Sequence, residues 1–125
     1  MNARFHAQRV GQGMCVVTGE HEAPAETAED LREALSAAVA GGCKRVLVDL
    51  QESDHVDPLV LGAILGSQRR LARFEGEMAV LCSNPGGWAD LERAAVTRLM
   101  TAFDDRNEAY EWVGMTMKEI PGNAR

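Results

Sequence analysis

The sequence predicts an α/β domain: a mixed sheet of about four to five strands covered by about four helices. Short apolar segments rich in β-branched residues alternate with amphipathic stretches of helical spacing. Two strand-like segments near the start are separated by the turn sequence Gly-Gln-Gly at 11–13, which favours an antiparallel hairpin over a phosphate loop because no helix follows. The 125 residues fit one domain, expected at 1–114 with a tail at 115–125.

Composition narrows the function classes. The net charge of −6 argues against a nucleic-acid binder, which needs a basic face to displace counterions. No apolar run is long enough to cross a membrane. We expect no signal peptide, because Arg4, His6 and Arg9 are not followed by an apolar region. The three cysteines, Cys15, Cys43 and Cys82, include no close pair and lie in or beside apolar strands. We therefore expect thiols in a reducing, cytoplasmic protein rather than a disulfide framework.

The first half of the chain gives two strands and a helix. Strands are predicted near residues 5–10 and 14–19. Thr27 followed by Asp30 resembles a capping box, and apolar residues at i, i+3, i+4, i+7 and i+8 from Leu31 form one helical face. Gly41 and Gly42 are expected to end that helix, since glycine accepts the left-handed cap conformation.

The centre of the chain holds the most informative stretch, a buried strand at 45–50 that leads through an acidic loop into a second helix. Three consecutive apolar residues at 46–48 indicate that both faces of the strand are covered. Asp57 is the expected N-cap and Pro58 the expected first helical residue. A basic end at Arg69, Arg70 and Arg73 favours the C-terminal helix dipole and is interpreted as a solvated face.

The second half predicts another interior strand at 78–82, followed by a helix with Asn84 as its cap and Pro85 in its first turn. A later start, after the glycines at 86–87, stays open as an alternative. One looser helical face runs from Trp88 to Leu99. A short edge strand at 101–103 and a last helix, capped by Asp104 or Asp105, complete the domain.

The strand-loop-helix stretch resembles the core signature of STAS domains, which occur as bacterial anti-sigma factor antagonists and as cytoplasmic domains of sulfate transporters. The matching residues are Arg-Val-Leu-Val-Asp-Leu at 45–50, Val-Asp at 56–57 and Leu-Gly-Ala-Ile-Leu at 61–65. The match continues from about residue 14 to 113, including Asn84-Pro85 and a Gly-Glu-His-Glu sequence at 19–22, where Glu22 replaces the family's acidic residue.

The resemblance implies a regulatory binding protein in which a loop hydroxyl is normally phosphorylated by an anti-sigma factor kinase. This chain has Pro58 and Leu59 in place of the hydroxyl pair and Val60 in place of a glycine, so we expect no phosphoswitch at the loop. Ser53 is a weaker candidate for a displaced phosphosite, and Ser67 is interpreted as a helix-surface residue. The expected partner-binding residues are Glu22, Ser53, Asp54, His55, Asp57, Pro58, Leu59, Val60 and Gly62.

Three alternatives stay open at this stage. The main expectation is a non-enzymatic, cytoplasmic binder of an anti-sigma factor, with no cofactor and with a homodimer left possible. A second is an accessory subunit of a membrane transport system that docks through the basic end of the second helix or the tail. A third is a metal-dependent enzyme built on Glu20, His21 and Glu22 together with Asp54, His55 and Asp57, although these loops lack a fixed metal-binding spacing.

Overall fold

Five strands form one mixed sheet in the part of the chain that the computed structural model describes, residues 5–19, 22–51, 53–116 and 118–120. The strands are β1 (Phe5–Gly11), β2 (Met14–Gly19), β3 (Arg45–Asp49), β4 (Glu77–Leu81) and β5 (Thr101–Phe103), and they lie in that order across the sheet. β1 pairs antiparallel with β2, with a register shift between Arg9 and Gly11, and all later pairs are parallel. The predicted mixed sheet is therefore confirmed.

Helices cover both faces of the sheet. They are α1 (Ala28–Ala40), α2 (Pro58–Ala72), α3 (Pro85–Arg93), the single turn α4 (Val96–Leu99) and α5 (Arg106–Trp112), with a 3-10 turn at Ala25–Thr27 before α1. Since β2, β3 and β4 are parallel, α1 and α2 each return from the carboxyl end of one strand to the amino end of the next, and they run parallel to each other. None of the described helices combines the length and apolarity needed to cross a bilayer.

The alternation of side chains along β3 divides the core into two layers. Val46 and Val48 pack in the larger cluster, with Leu31 and Leu35 of α1 and Ile64 of α2. Between them, Leu47 points to the opposite face, where it joins a smaller cluster with Ala109, Tyr110 and Val113. All three strand residues are fully buried, which confirms that both faces of this strand are covered.

A buried carboxylate connects α5 to the end of β3. Asp49 has no solvent exposure, and its Oδ2 accepts a hydrogen bond from the Tyr110 hydroxyl and lies 3.4 Å from Arg106 Nη1. Burial, followed by the charge of Asp49, raises the pKa of Tyr110, so the hydroxyl remains a proton donor over the physiological range. The carboxylate is thereby paired inside the protein, as a buried charge requires.

Two predictions about the helices need correction. Thr27 occupies the N-cap position of α1 as predicted, but its side chain makes no capping bond; its hydroxyl donates to the Pro24 carbonyl 2.7 Å away, because a 3-10 turn already precedes the helix. The predicted helix from Trp88 to Leu99 is broken into α3 and α4 at Ala95, whose φ of 63° is left-handed. Other ends follow the prediction: α1 stops at Gly41, and Asp105 caps α5 by accepting from Glu108 N at 3.0 Å.

The cysteines differ from the expectation. The structure joins Cys15 at the start of β2 to Cys43 before β3 in a disulfide, with Cα atoms 6.1 Å apart, and Cys82 is a buried free thiol. The pair could not be recognised from spacing, because the two cysteines are 28 residues apart and meet only when β2 and β3 align. In the expected tail, Ile120 is buried in the smaller cluster, so part of that segment contacts the domain.

We expect Tyr110→Phe to lower the free energy of unfolding by about 1–3 kcal/mol, because it removes a hydrogen bond to a buried carboxylate. Chemical denaturation of the wild type, Tyr110→Phe, Asp49→Asn and the double variant gives the coupling between the two side chains. The two single effects should be clearly non-additive. Additive losses would show that Asp49 and Tyr110 stabilise the domain independently.

Candidate docking site

The acidic loop joins the carboxyl end of β3 to the start of α2, as the sequence predicts. Asp57 is the N-cap: its Oδ1 accepts a hydrogen bond from Leu59 N at 2.8 Å, and its backbone carbonyl accepts from Val60 N at 2.9 Å. Pro58 occupies the first helical position, where no amide hydrogen is needed. The direction in which α2 leaves the sheet is therefore fixed at Asp57.

Gln51 marks the point at which the chain leaves the strand. Its φ of 56° is left-handed, a conformation that is uncommon for a residue with a side chain. Its backbone N–H donates to Asp49 Oδ1 at 2.7 Å, and its side-chain amide donates to the Gly19 carbonyl at 2.5 Å. Ser83 N in turn donates to the Gln51 carbonyl at 3.2 Å. Contacts from two neighbouring strand ends thus hold the bend in place.

The loop at 22–24 lies beside the acidic loop, which brings two of the predicted segments together. Ala23 and Val56 form an isolated parallel bridge, and Asp57 N donates to the Ala23 carbonyl at 3.0 Å. Glu22 Oε2 lies 3.5 Å from Asp54 N, at the limit of a hydrogen bond. Glu20 and His21 fall outside the described residues, and among the described ones no three His, Cys, Asp or Glu side chains are grouped to hold a metal ion.

Asp90 of α3 also stabilises the acidic loop, through a hydrogen bond to its backbone. Its Oδ2 accepts from Val56 N at 2.9 Å, and His55 Nδ1 lies 3.6 Å from the same oxygen. Arg93 pairs with the other carboxylate oxygen. The Val56 amide, and after it Arg93, hold the pKa of Asp90 below its usual value against the opposing effect of burial. The carboxylate is therefore ionised at neutral pH and stabilises the loop.

Close backbone contacts explain the glycine pair that opens α3. The helix begins at Pro85, and Asn84 Oδ1 accepts from Gly86 N at 2.8 Å, which confirms the predicted cap and first-turn pair. The alternative of a start after the glycines is excluded. A Cβ on Gly86 would lie 2.5 Å from the Asp54 carbonyl oxygen. One on Gly87 would lie 2.3 Å from the Ser53 carbonyl oxygen. The glycines let α3 approach the acidic loop more closely than any side chain permits.

The two loop and helix serines are both buried. Ser53 is 1% exposed, and its hydroxyl donates to the Leu50 carbonyl at 2.7 Å. Ser67 is 2% exposed, which contradicts the expected place on the helix surface; its Oγ accepts from Arg70 Nη2 at 3.2 Å. Neither hydroxyl is presented to a modifying enzyme in this structure.

Leu59 and Val60 point in opposite directions at the start of α2. Leu59 is 57% exposed, whereas Val60 is fully buried and extends the core. We call the exposed set at this end of the domain the turn surface; its members are Asp54, His55, Pro58, Leu59 and Gly62. Of the nine predicted partner-binding residues, Val60 and Ser53 support this surface from inside, Asp57 caps its helix, and Glu22 adjoins it.

A depression of about 290 Å³ lies beside the turn surface. Its lining includes Pro58 and Leu61 of α2 and Asp90 and Arg93 of α3. The lining thus combines apolar side chains with the ion pair between Asp90 and Arg93. The sequence analysis did not identify Asp90 and Arg93, because their place at the site depends on how α3 packs against the loop. The available signal was the Asn-Pro-Gly-Gly sequence at the start of α3, where two glycines indicate a close backbone contact.

Comparison with known proteins identifies the family. The family model of the STAS domain matches residues 7–109 of this chain, which is most of its length. Among curated protein sequences, none matches the chain significantly.

Solved structures share the fold. A protein assigned as an anti-sigma factor antagonist from Thermotoga maritima aligns with a TM-score of 0.75 at 19% identity, over 89% of this chain and 95% of that one. An anti-sigma factor antagonist from Mycobacterium paratuberculosis gives 0.75 at 18%, over 87% and 92%. The antagonist SpoIIAA, unphosphorylated, gives 0.72 at 20%, over 90% and 98%, and the Bacillus protein is also solved phosphorylated. At these identities the likeness shows the fold.

We expect Gly87→Ala to lower the free energy of unfolding by about 2 kcal/mol or more, because the new methyl group meets the Ser53 carbonyl and the Cys82 sulfur. The matched control is Gly62→Ala in α2, where nothing lies within 4 Å of the new Cβ. The control should be neutral or raise stability by about 0.5–1 kcal/mol through helix propensity. Urea denaturation measures both, and equal effects would contradict the close approach of α3.

Proposed function

The chain belongs to the STAS domain family, and on that premise we propose that it is a non-enzymatic regulatory protein that binds an anti-sigma factor through the turn surface. The proposal takes the class of partner from the similar folds that are described as anti-sigma factor antagonists. The location of the interface is inferred from the exposed residues at the start of α2. Binding of this kind would sequester the anti-sigma factor and release its sigma factor.

The observation that carries the proposal is the exposure of Leu59. Leu59 is more than half exposed and belongs to neither core cluster, whereas Val60 beside it is fully buried. The depression lined by Leu61 and Arg93 lies next to it and offers a concave neighbour to the protruding side chain. Apolar side chains with a polar, charged rim are typical of the centre of a protein–protein interface.

The proposal also includes binding without a phosphoswitch. The residues at 58–60 have no hydroxyl group, and the Ser53 hydroxyl is buried and bonded to the Leu50 carbonyl. The loop is already held by Asp57 within α2 and by Asp90 from α3, so little ordering would remain to be done on binding. We therefore propose that the surface is competent for its partner at all times.

The transporter alternative relies on a different end of the molecule. Its docking residues, Arg69, Arg70 and Arg73, lie at the C-terminal end of α2, about three to four helical turns from Leu59. The turn surface carries the exposed leucine and the adjoining depression, so we place the anti-sigma factor contact there.

We expect Leu59→Ser to weaken binding to the anti-sigma factor of the source organism by about tenfold or more, because it removes an apolar contact at the centre of the proposed interface. Leu99→Ser is the matched control, since Leu99 is 58% exposed on α4 and outside the turn surface. Isothermal titration calorimetry with each variant gives the affinities. Equal affinities for the wild type and Leu59→Ser would refute the proposed contact.

Incubation with an anti-sigma factor kinase and ATP should leave the mass of the wild-type protein unchanged, because no accessible hydroxyl stands at 53–60. Intact-protein mass spectrometry provides the measurement. An antagonist from the same organism with serine at this loop position serves as the positive control for kinase activity. A phosphate on any residue in 53–60 would overturn the claim of a switch-free surface while leaving the binding proposal intact.

A further inference from the structure

The solvent-facing side of α2 carries a stripe of residues along one helix face, with two glycines in its middle. Five residues of this stripe follow one another at alternating spacings of three and four, so they share one face of the helix. They are Leu59, Gly62, Gly66, Arg69 and Arg73. Nothing lies within 4 Å of a Cβ built on either glycine. Each glycine costs about 1 kcal/mol in a helix interior, and no contact within the domain requires it.

Charge is segregated along the α1 and α2 layer. Because the two helices are parallel, their N-terminal ends lie together, and their C-terminal ends lie together at the basic end of α2. The N-terminal ends carry exposed Glu29, Glu33 and Asp54. Arg32 pairs with Glu29 at 3.3 Å, so Glu33 and Asp54 supply the acidic charge of this end. Within the described residues, no carboxylate forms an ion pair with the arginines at that end, Arg69, Arg70 and Arg73. Glu75 follows these arginines in the sequence. The net charge of the whole chain is −6, so a group of three arginines contrasts with the rest of the protein.

An apolar groove lies at the basic end. Two adjoining depressions, of about 240 and 280 Å³, share Val39, Ala40 and Phe74 in their lining. Phe74 is 58% exposed, and its backbone carbonyl accepts a hydrogen bond from Lys44 Nζ at 2.5 Å. The groove therefore combines an exposed aromatic ring with cations around it, and it suits an apolar side chain with acidic neighbours.

We propose that a second copy of this chain docks on the α2 stripe, antiparallel, with a two-fold axis beside Gly66. Leu59 and Phe74 lie seven and eight residues from Gly66, which is about 10–12 Å on either side along the helix. A two-fold rotation at Gly66 therefore brings Leu59 of each copy to the Phe74 groove of the other. The same rotation sets the acidic end of each copy against the basic end of its mate.

Complementarity within one chain favours a second copy over an unrelated protein. An isologous interface needs one patch that carries both halves of every contact. Here the patch holds the projecting leucine and the groove, the acidic and the basic end, and glycines at the axis, where two helices approach most closely. An acidic amphipathic helix of another protein would match the groove and the arginines but leave Leu59 and the acidic end without a role.

This dimer goes beyond the proposed binding of an anti-sigma factor, and its test needs no partner protein. Both interactions use Leu59, so the dimer and the partner complex would exclude each other. Loss of the dimer in the experiments below leaves the proposed function standing, and failure of partner binding leaves the dimer standing.

Sedimentation equilibrium of the full chain tests the association. We expect a reversible dimer that weakens as salt rises, because the end-to-end charge contacts are screened. Arg73→Glu should raise the dimer dissociation constant about tenfold or more by placing like charges together. A protein that stays monomeric at every concentration up to about 1 mM would overturn the proposal, even if an acidic peptide binds the groove.

Disulfide trapping tests the geometry. Gly66→Cys should cross-link two copies rapidly under mild oxidation, since a disulfide needs Cα atoms within about 7 Å and only residues near the two-fold axis meet that limit. Ala72→Cys is the control: it is exposed on the same helix but six residues from the axis and off the stripe. The buried native Cys82 should not react. Non-reducing electrophoresis gives the rates, and equal cross-linking of the two variants would exclude this interface.

Discussion

Three carboxylates determine the shape of the loop on which the proposed function depends. Each accepts a backbone N–H that would otherwise have no partner, at the start, the middle and the end of the loop. The pairs are Asp49 with Gln51, Asp90 with Val56, and Asp57 with Leu59. These carboxylates come from a strand, a neighbouring helix and the loop itself. The loop therefore keeps its shape only while β3, α2 and α3 keep their relative positions. The surface at the start of α2 is thus a property of the whole domain.

Much of the fold follows from local patterns. The interior strands were predictable from continuous apolar segments, because a strand covered on both faces has no alternation of apolar and polar residues. β3 is such a strand, covered by α2 on one side and α5 on the other. The cap at Asp57 and the stop at Gly41 were predictable because both depend on the chemistry of one or two residues. The break at Ala95 was not, since alanine carries no signal for a left-handed backbone.

The candidate site was predictable in position but not in construction. The strand-loop-helix pattern located the loop, yet the pattern is local and Asp90 reaches Val56 from 34 residues away. The division between exposed Leu59 and buried Val60 depends on the rotation of α2 about its axis, which packing against the sheet decides. The pairing of Cys15 with Cys43 was missed for the same reason: strand alignment, not spacing, brings the sulfurs together.

The two outer strands of the sheet offer little to another chain. β5 has only three residues, and β1 carries exposed polar side chains and a register shift between Arg9 and Gly11. Short length, polar side chains and irregular pairing are features that discourage the addition of a foreign strand. Recognition by backbone augmentation is therefore disfavoured at both margins, and proteins that associate with this domain are left with its helical surfaces, where side-chain shape rather than main-chain hydrogen bonding sets selectivity.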